Sequence, residues 1–478
     1  MSQQEMSREM TASLGDIVPE LILLGGGIAI LLYAMFAPRR AQVGAALLAL
    51  AISVAAATAT IAMLDGGQTL TFFDTYSTDD VALWSKLIIL VATIAVIALS
   101  VPWFIRDPRH GEYYMLLLFS SLGAALLAGA SDLMEIVMAI VLSSATGYIL
   151  VAYHRRSKLA SEAAIKYFLI SALTSSSMLI GVALLFGLAG TTTLSGLRDG
   201  LPDDAAALIV GAALIVAALA FKMGSFPAHA WMPDVAQGAP APVAAFVTTV
   251  PKVGGLVALA RLVSVLPDTV GWRPLVALLA AATMTLGNLA ALWQEDVRRL
   301  LGWSAVSQTG YALMALAALG RSALAIPSLM YFLLAYVVAN IAAFGVVVEL
   351  RGRTDRASYA GLARARPMLA MSLVIAFLSL IGIPPLVGFG AKLALFTAAI
   401  EANYGWLAIV AAANTVVSIF YYARVMAPAY FDDATAPVPV LGRWAASATY
   451  ILTATIIVAG IAAEPVLESL RGAWLLPR

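Results

Sequence analysis

Two stretches decide the fold: FKMGSFPAHAWMPD at residues 221–234 and IGIPPLVGFGAKLALF at residues 381–396. Each stretch interrupts an apolar helix with glycine and proline, and each carries one lysine, Lys222 or Lys392. Proline removes a backbone donor and frees carbonyls, and such irregular backbone is tolerated at membrane depth mainly where it lines a polar cavity. The pair predicts interrupted helices around an ion or proton path.

Apolar stretches of membrane-spanning length surround these two and recur along all 478 residues. One crossing takes about 20 mostly apolar residues. We predict an all-α polytopic membrane protein with about fourteen transmembrane helices in a single domain, 1–478, that begins with a short soluble tail at 1–17. The spans are expected near 18–37, 41–63, 82–105, 112–130, 133–154, 163–190, 204–225, 240–266, 274–294, 298–319, 322–349, 367–398, 403–430 and 444–464.

The two lysine-bearing breaks fall in the seventh and twelfth of these spans. An odd number of helices in a repeat reverses its direction in the membrane, so this spacing predicts two inverted five-helix repeats. Spans 4–8 make the first repeat, roughly 112–266, and spans 9–13 make the second, roughly 274–430. Helices 7 and 12 are expected to be broken.

Composition excludes several classes of function. Hydrophobic residues make up 62% of the chain and charged residues 12%, about half the charged fraction of a soluble protein, which excludes a soluble globular enzyme. The formal net charge of +1 gives a nucleic-acid partner no electrostatic footing. The chain has no cysteine, and His110, His154 and His229 lie far apart. We therefore expect no disulfide, metal cluster, haem or other redox centre in this chain.

The distribution of basic residues predicts orientation. Arg298, Arg299 and Arg261 lie towards span ends and are counted with the adjoining loops. Fifteen of the 28 lysines and arginines then fall in odd-numbered loops, and seven, Arg261 among them, fall in even-numbered loops and the two tails. Cytoplasmic loops carry the excess of lysine and arginine. The odd-numbered loops are therefore expected in the cytoplasm and both termini on the periplasmic side.

Six basic residues remain inside spans. Lys86, Lys166 and Arg424 lie near span ends, where a long side chain can reach the interface. The other three lie deeper, where a cation costs about 2.5–3.5 kcal/mol and persists mainly where it is functional or paired. These deeper residues are Lys222, Lys392 and Lys252, which follows Pro251 and is close enough in sequence to Lys222 to line the same cavity.

Lysine suits a proton path because, buried in low dielectric, it can gain and lose a proton at physiological pH, whereas arginine stays charged. Histidine titrates near neutrality, so His229, seven residues after Lys222, is a candidate relay between Lys222 and Lys252. The alternatives stay open: the lysines can be structural charges paired between helices, and His229 can be a structural histidine at a helix break.

Several longer runs carry a family resemblance: EAAIKYFLISAL (162–173), FKMGSFPAHAWMPDVAQGAPAPVAAFVTTVPKVGG (221–255), WQEDVRRLLGWSAVSQTGY (293–311), LSLIGIPPLVGFGAKLALFTAAIEA (378–402) and YYARV (421–425). Together they resemble the antiporter-like membrane subunits of respiratory complex I, an NADH-quinone oxidoreductase. Overall length, the KYF run and the PDVAQGAPAPV loop are most similar to the subunit N family.

The resemblance implies a proton-translocating, non-redox subunit of a bacterial complex I in the inner (cytoplasmic) membrane. In that family, fourteen helices contain two inverted repeats, and the lysines that match Lys222, Lys252 and Lys392 belong to the proton path. NAD, FMN, iron–sulfur clusters and quinone are expected in partner subunits and none in this chain. The expected partners are the other membrane-arm subunits and the lipid bilayer.

One position departs from the family pattern. Members usually carry a glutamate in the middle of the fifth helix, and SDLMEIVMAIVLSS (131–144) has Val141 there. The nearest acid, Glu135, lies six residues earlier, about 9 Å along a helix and about 120° around it. Glu135 is thus an uncertain member of the proton path.

Two rival functions remain at this stage. One is the related subunit of a multisubunit cation/proton antiporter. The other, suggested by Val141, is a structural complex-I-like subunit with an impaired proton channel.

Overall fold

The computed structural model describes residues 14–475 except 39–40, 106, 108, 155, 203–204, 435–440 and 474. Within these ranges a two-stranded hairpin, β1 (Leu70–Thr71) and β2 (Tyr76–Ser77), is the sheet of the structure. The remaining regular structure is helical. Helices α1 to α20 occupy, in order, Val18–Phe36, Val43–Met63, Asp80–Phe104, His110–Gly129, Leu133–Val151, Lys158–Ala189, Leu194–Gly200, Ala206–Met223, Trp231–Gly238, Ala241–Val247, Val250–Val265, Trp272–Ala291, Val297–Ala317, Ala325–Glu349, Leu362–Ala365, Pro367–Ile381, Val387–Glu401, Gly405–Phe431, Arg443–Ile461 and Ala463–Leu470.

The helices confirm the predicted fold class of a polytopic all-α membrane protein. Taking α10 and α11 as one helix, twelve helices of the described chain are long and apolar enough to cross a membrane. The other two predicted spans coincide with α13, which is more polar, and with the two short halves α16 and α17. The number of fourteen spans stays a prediction.

Local sequence explains where the helices begin and end. Asp79, Asp132 and Asp296 each accept a backbone N–H in the first turn of the helix that follows, which satisfies a donor left unpaired at a helix start. Gly224 and Gly382 take left-handed φ values of 70° and 96° and end α8 and α16. The breaks predicted in helices 7 and 12 are thereby confirmed.

The eighth span is also interrupted, although its sequence predicts one continuous helix. Its first part, α10, ends before Thr248, and α11 begins at Val250. The Thr248 carbonyl freed there accepts a hydrogen bond from the Tyr336 hydroxyl, and the Thr248 hydroxyl accepts one from Asn340. Pro251 lies in the first turn of α11, where its missing N–H breaks no helical hydrogen bond. The helix therefore resumes directly after the interruption.

Loops alternate between two faces of the molecule. The second, fourth and sixth loops join through bridges from Tyr76 to Ala130 and from Asp132 to Thr193, and we call their side the even-loop face. The ninth and eleventh loops join through a bridge from Asp296 to Asp355 on the opposite, odd-loop face. This alternation agrees with successive membrane crossings, whereas the cytoplasmic assignment of the odd-loop face stays a prediction.

The two halves of the chain repeat one close helix contact. A Cβ at Gly123 would stand 2.6 Å from the Ser143 amide nitrogen, and a Cβ at Gly287 would stand 2.5 Å from that of Ser307. Both members of the second pair lie 164 positions after those of the first. Small residues permit such close helix packing in membranes. The repeated contact supports the two proposed repeats.

Candidate functional site

Lys222 lies in the last turn of α8, directly before the Gly224 break, and is buried. Its Nζ donates to Ser144 Oγ in α5 at 3.0 Å. Gly255 in α11 leaves room for the lysine side chain, because a Cβ there would stand 3.4 Å from Lys222 Cγ. The amine thus meets α5, while its aliphatic part packs on the helix that carries Lys252.

Lys252 lies in the first turn of α11, just after the interruption of the eighth span, and is buried. Its Nζ donates to the Ala305 carbonyl of α13 and, at 3.4 Å, to the Tyr336 hydroxyl. The amine also lies 4.7 Å from the centroid of the Tyr336 ring, an attractive cation–π position. Lys252 therefore bridges α13 and α14.

Lys392 uses a carbonyl that the break in helix 12 leaves free. Its Nζ donates at 2.9 Å to the oxygen of Ile381, the last residue of α16, and lies 4.1 Å from the centroid of the Tyr311 ring. The last four carbonyls of any helix lack partners within the helix, so ending α16 inside the molecule supplies this acceptor. The break in helix 12 thus supplies the hydrogen-bond acceptor of Lys392.

Helix α13 connects the three lysine environments. The Thr309 hydroxyl contacts the carbonyl of Met223, next to Lys222, at 2.9 Å and that of Ala305, the acceptor of Lys252, at 3.1 Å. Gln308 donates at 3.1 Å to the Leu380 carbonyl, next to the acceptor of Lys392. The sequence patterns above do not indicate Ser144, Gln308 or Thr309 as site residues. The signal was present as WSAVSQTGY (303–311), a polar run within an apolar span.

The three buried amines have uncharged partners. In the part of the chain that the structure describes, each donates to hydroxyl or carbonyl oxygens, and none pairs with a carboxylate. Burying the charged form of a lysine without a counter-ion costs free energy, which favours the neutral form. This favours the proton-path interpretation of the lysines over structural ion pairs.

His229 lies between α8 and α9 and is half-buried. Its ring centroid is 6.1 Å from that of Phe226 and 5.6 Å from that of Trp303. The Nδ1 atom is buried and has no hydrogen-bond partner among the described residues. His229 makes no hydrogen bond to Lys222 or Lys252 in the described chain, so its role as a relay stays a prediction.

Glu135 and Val141 both lie in α5 but away from the Lys222 amine. Glu135 is in the first turn, nine residues or about 13.5 Å from Ser144, which contacts that amine. Val141 is 45% exposed on the outside of the molecule. Ser144 is therefore the α5 residue that partners Lys222, and Glu135 belongs to the even-loop face.

Two interpretations of basic residues were wrong. Lys86 is not exposed near its span end: it is fully buried and pairs with Glu20 at 2.8 Å. Arg261 is not a loop residue, because it lies inside α11 and pairs with Asp79 through hydrogen bonds of 2.6 and 2.7 Å. Each acid lies far away in sequence, so no local pattern indicated the pairing.

Lys166 and Arg424, in contrast, are partly exposed. Lys166 pairs with Glu162 and Asp234, and Arg424 pairs with Glu295. Their partial exposure agrees with the expectation that long side chains near span ends reach the interface.

Metal ligation has little support in the described residues, where no group of three or more histidine, aspartate or glutamate residues could hold a metal ion. The full sequence has no cysteine, so a thiolate-bound cluster has no ligand in this chain.

Apolar spans, broken helices and buried lysines linked through a central polar helix define the class of antiporter-like membrane subunits. Residues 130–418 match the family model described as NADH:quinone oxidoreductase/Mrp antiporter, TM. A chain of respiratory complex I from Thermus thermophilus with bound aureothin has a TM-score of 0.81 and 28% identity, with 95% of this chain and 100% of that chain covered. A chain of the Mrp complex from Dietzia sp. DQ12-45-1b, 20% identical with 96% of each chain covered and a TM-score of 0.87, shows the shared fold.

Sequence similarity narrows the class to one family. The chain is 41% identical over 451 residues to NADH-quinone oxidoreductase subunit N of Mycobacterium sp. (strain JLS), with 94% of this chain and 96% of the relative covered. The chain belongs to the NADH-quinone oxidoreductase subunit N family.

Proposed function

We propose that this chain is the membrane-arm proton-translocating subunit of a bacterial complex I. Protons move through Lys222, Lys252 and Lys392 when quinone is reduced in other subunits. The observation that carries the proposal is the burial of three lysine amines, without carboxylate partners in the described chain, at interrupted helices joined by α13. Lysine in such surroundings can exchange a proton, which arginine cannot.

The hydrogen bonds around α13 suggest an order for the path. The Thr309 hydroxyl lies between the environments of Lys222 and Lys252, and Gln308 lies beside that of Lys392. Carbonyl oxygens accept protons poorly, so hydroxyl groups and water molecules complete the transfer steps. His229, half-buried beside the break in helix 7, serves in this proposal as the relay between Lys222 and Lys252.

The assembly follows from family membership. We propose that the chain is a non-redox subunit, with NAD, FMN, iron–sulfur clusters and quinone held by partner subunits and with other membrane-arm subunits as neighbours. It lies in the bacterial inner membrane with both termini periplasmic, as the excess of basic residues in odd-numbered loops supports. The repeats 112–266 and 274–430 form its two halves.

One observation favours a second candidate, a structural subunit with an impaired proton channel. Val141 stands where the family resemblance implies a glutamate, and the structure gives Lys222 only the Ser144 hydroxyl in α5. The cation/proton antiporter alternative has less support, because the chain is 41% identical to a complex I subunit N.

The test uses the intact complex purified through a tag on this chain and reconstituted into vesicles. We expect redox subunits to co-purify and Lys392→Met to lower the proton-to-electron ratio while quinone reduction continues. Lys158→Met, at an exposed lysine in the first turn of α6, is the matched control and should keep the wild-type ratio. A wild-type ratio for Lys392→Met in an assembled complex would favour the structural candidate, and co-purification with antiporter subunits alone would overturn the complex I assignment.

A further inference from the structure

A second set of buried charges lies at the even-loop face, away from the three lysines. Glu20, in the first turn of α1, is buried; it pairs with Lys86 at 2.8 Å and accepts a hydrogen bond from the Tyr76 hydroxyl. Lys86 is fully buried and lies 5.1 Å from the centroid of the Tyr76 ring. Both contacts to Glu20 use Oε1, while the buried Oε2 has no hydrogen-bond partner in the described chain.

Glu135 adds a second carboxyl to this set. It projects from the first turn of α5, which begins beside Tyr76: Ala130 bridges to the Tyr76 backbone, and a Cβ at Gly129 would stand 2.6 Å from the Tyr76 hydroxyl that bonds to Glu20. One of its oxygens, Oε2, is likewise buried without a hydrogen-bond partner among the described residues. Two carboxyl groups with unsatisfied oxygens thus lie near the same tyrosine, Tyr76.

The other charges of this region have their own partners. Asp79 is matched by Arg261 through two hydrogen bonds. Asp132 accepts the Met134 amide at the start of α5 and the Thr192 hydroxyl. Asp16, which also interacts with Lys86, is partly exposed to water.

Because Arg261 is bonded to Asp79, Lys86 is the cation that remains for Glu20 and Glu135 in the part of the chain that the structure describes. An ionised carboxylate buried without a counter-ion is costly, and a bound proton removes that cost. We propose that Glu20 and Glu135 together hold one exchangeable proton and, with Lys86, form a second proton-binding site at the even-loop face. The proton bonds to a carboxylate oxygen and leaves that oxygen when it is released to the adjacent aqueous side.

Helix α11 spans the distance between this site and the lysines. Arg261, which borders the site, and Lys252 lie nine residues or about 13.5 Å apart on this helix. The inference rests on the proposed function, since a proton that passes the lysines needs a site from which to exchange with the even-loop side.

The test compares proton-to-electron ratios of the intact complex in vesicles. Glu135→Gln is isosteric and leaves the Glu20–Lys86 pair balanced, so assembly and quinone reduction should stay normal while the ratio falls below that of wild type. The double variant Glu20→Gln/Lys86→Met, which leaves no unpaired charge, should lower the ratio too. The control is Glu464→Gln/Arg471→Gln, which removes an exposed ion pair in and just after α20 and should keep the wild-type ratio.

The outcomes separate this inference from the proposed function. If Lys392→Met lowers the ratio and Glu135→Gln pumps as wild type, the cluster is a structural ion pair and the inference is overturned. If Lys392→Met also pumps as wild type, the proposed function fails and the inference fails with it. A lower proton-to-electron ratio in both Lys392→Met and Glu135→Gln supports the second site. If the double variant does not assemble, the result for Glu135→Gln alone decides.

Discussion

Lys222 and Lys392 have the same kind of surroundings although different helices provide them. Lys222 precedes the break at Gly224, and Lys392 follows the break at Gly382. Within the described residues each amine donates to one neutral oxygen, Ser144 Oγ for Lys222 and the Ile381 carbonyl for Lys392. A charged amine has three donors to satisfy, and neutral partners satisfy them incompletely. The residue type matters here because only lysine combines this reach with the ability to release its proton.

Substitution by arginine tests that ability. We expect Lys222→Arg and Lys392→Arg to lower the proton-to-electron ratio of the complex, because arginine stays protonated. The part of the ratio that this subunit contributes should fall at least roughly twofold. The measurement is proton uptake per quinone reduced in vesicles, with assembly checked by native gel. Pumping at the wild-type level by both variants would show that a fixed positive charge is sufficient.

His229 offers a second test at the level of single residues. Its ring interacts with the Pro227 backbone, and its buried Nδ1 makes no close hydrogen bond in the described chain, which is suited to a water-mediated transfer. We expect His229→Gln to retain more proton transport than His229→Leu, since glutamine preserves hydrogen bonding. Equal, normal transport by the two variants would assign His229 a packing role beside Phe226 and Trp303.

At the scale of helices, the breaks are held by close backbone contacts. A Cβ at Gly388, in the first turn of α17, would collide with the Ser379 carbonyl of α16. The Gly388 amide also donates to Ser379 Oγ at 3.2 Å. The two halves of helix 12 are thus fixed against each other, which keeps the Ile381 carbonyl pointing to Lys392.

Gly388→Ala should therefore destabilise the subunit by about 1–3 kcal/mol, because the backbone cannot give way as a flexible side chain does. The readout is the amount of this subunit in the assembled complex. Gly187→Ala is the control, because nothing lies within 4 Å of its added Cβ in α6. Replacing a glycine by alanine inside a helix stabilises the helix by about 0.5–1 kcal/mol. Normal assembly of Gly388→Ala would mean that the break is adjustable.

Helix α13 is the element that connects the two broken helices. We expect Thr309→Val, which keeps the side-chain shape and removes the hydroxyl, to lower proton transport while the complex still assembles at a cost of about 1–3 kcal/mol. Thr309→Ser should preserve transport, since it retains the hydroxyl bonded to Met223 and Ala305. Proton uptake per electron in vesicles distinguishes these outcomes, and equal transport by both variants would exclude a relay at Thr309.

For the whole molecule, alternating loops constrain how the chain crosses the membrane. The second, fourth and sixth loops meet through Tyr76, Ala130, Asp132 and Thr193 on one face, so a single experimental assignment of that face orients these loops and, through successive crossings, the rest. The basic bias predicts that this face is periplasmic.

Reporter fusions provide that assignment. Fusions after Arg156 and after Arg356 should both report cytoplasm, whereas a fusion after Asp199, in the sixth loop, should report periplasm. The physical reason is the retention of lysine- and arginine-rich loops on the cytoplasmic side. A periplasmic signal after Arg156 or Arg356 would invert the proposed orientation and remove the support for opposed repeats.

The sequence by itself determined the features that depend on local chemistry. Apolar length predicted the spans, and glycine and proline around Lys222 and Lys392 predicted two broken helices, because φ preferences and missing donors act within a few residues. The same local reasoning missed the interruption at Thr248 and Thr249, where no glycine stands and the adjoining Pro251 occupies a position that a helix start tolerates.

Only the tertiary structure decided which side chains meet. Ser144 for Lys222, the Ala305 carbonyl for Lys252, Glu20 for Lys86 and Asp79 for Arg261 all come from distant helices. Lipid and protein interior are both apolar, so the hydrophobic pattern of a membrane helix does not identify the face that packs inward. Partners across helices are therefore fixed by close packing at small residues such as Gly123 and Gly287, which a single sequence does not pair.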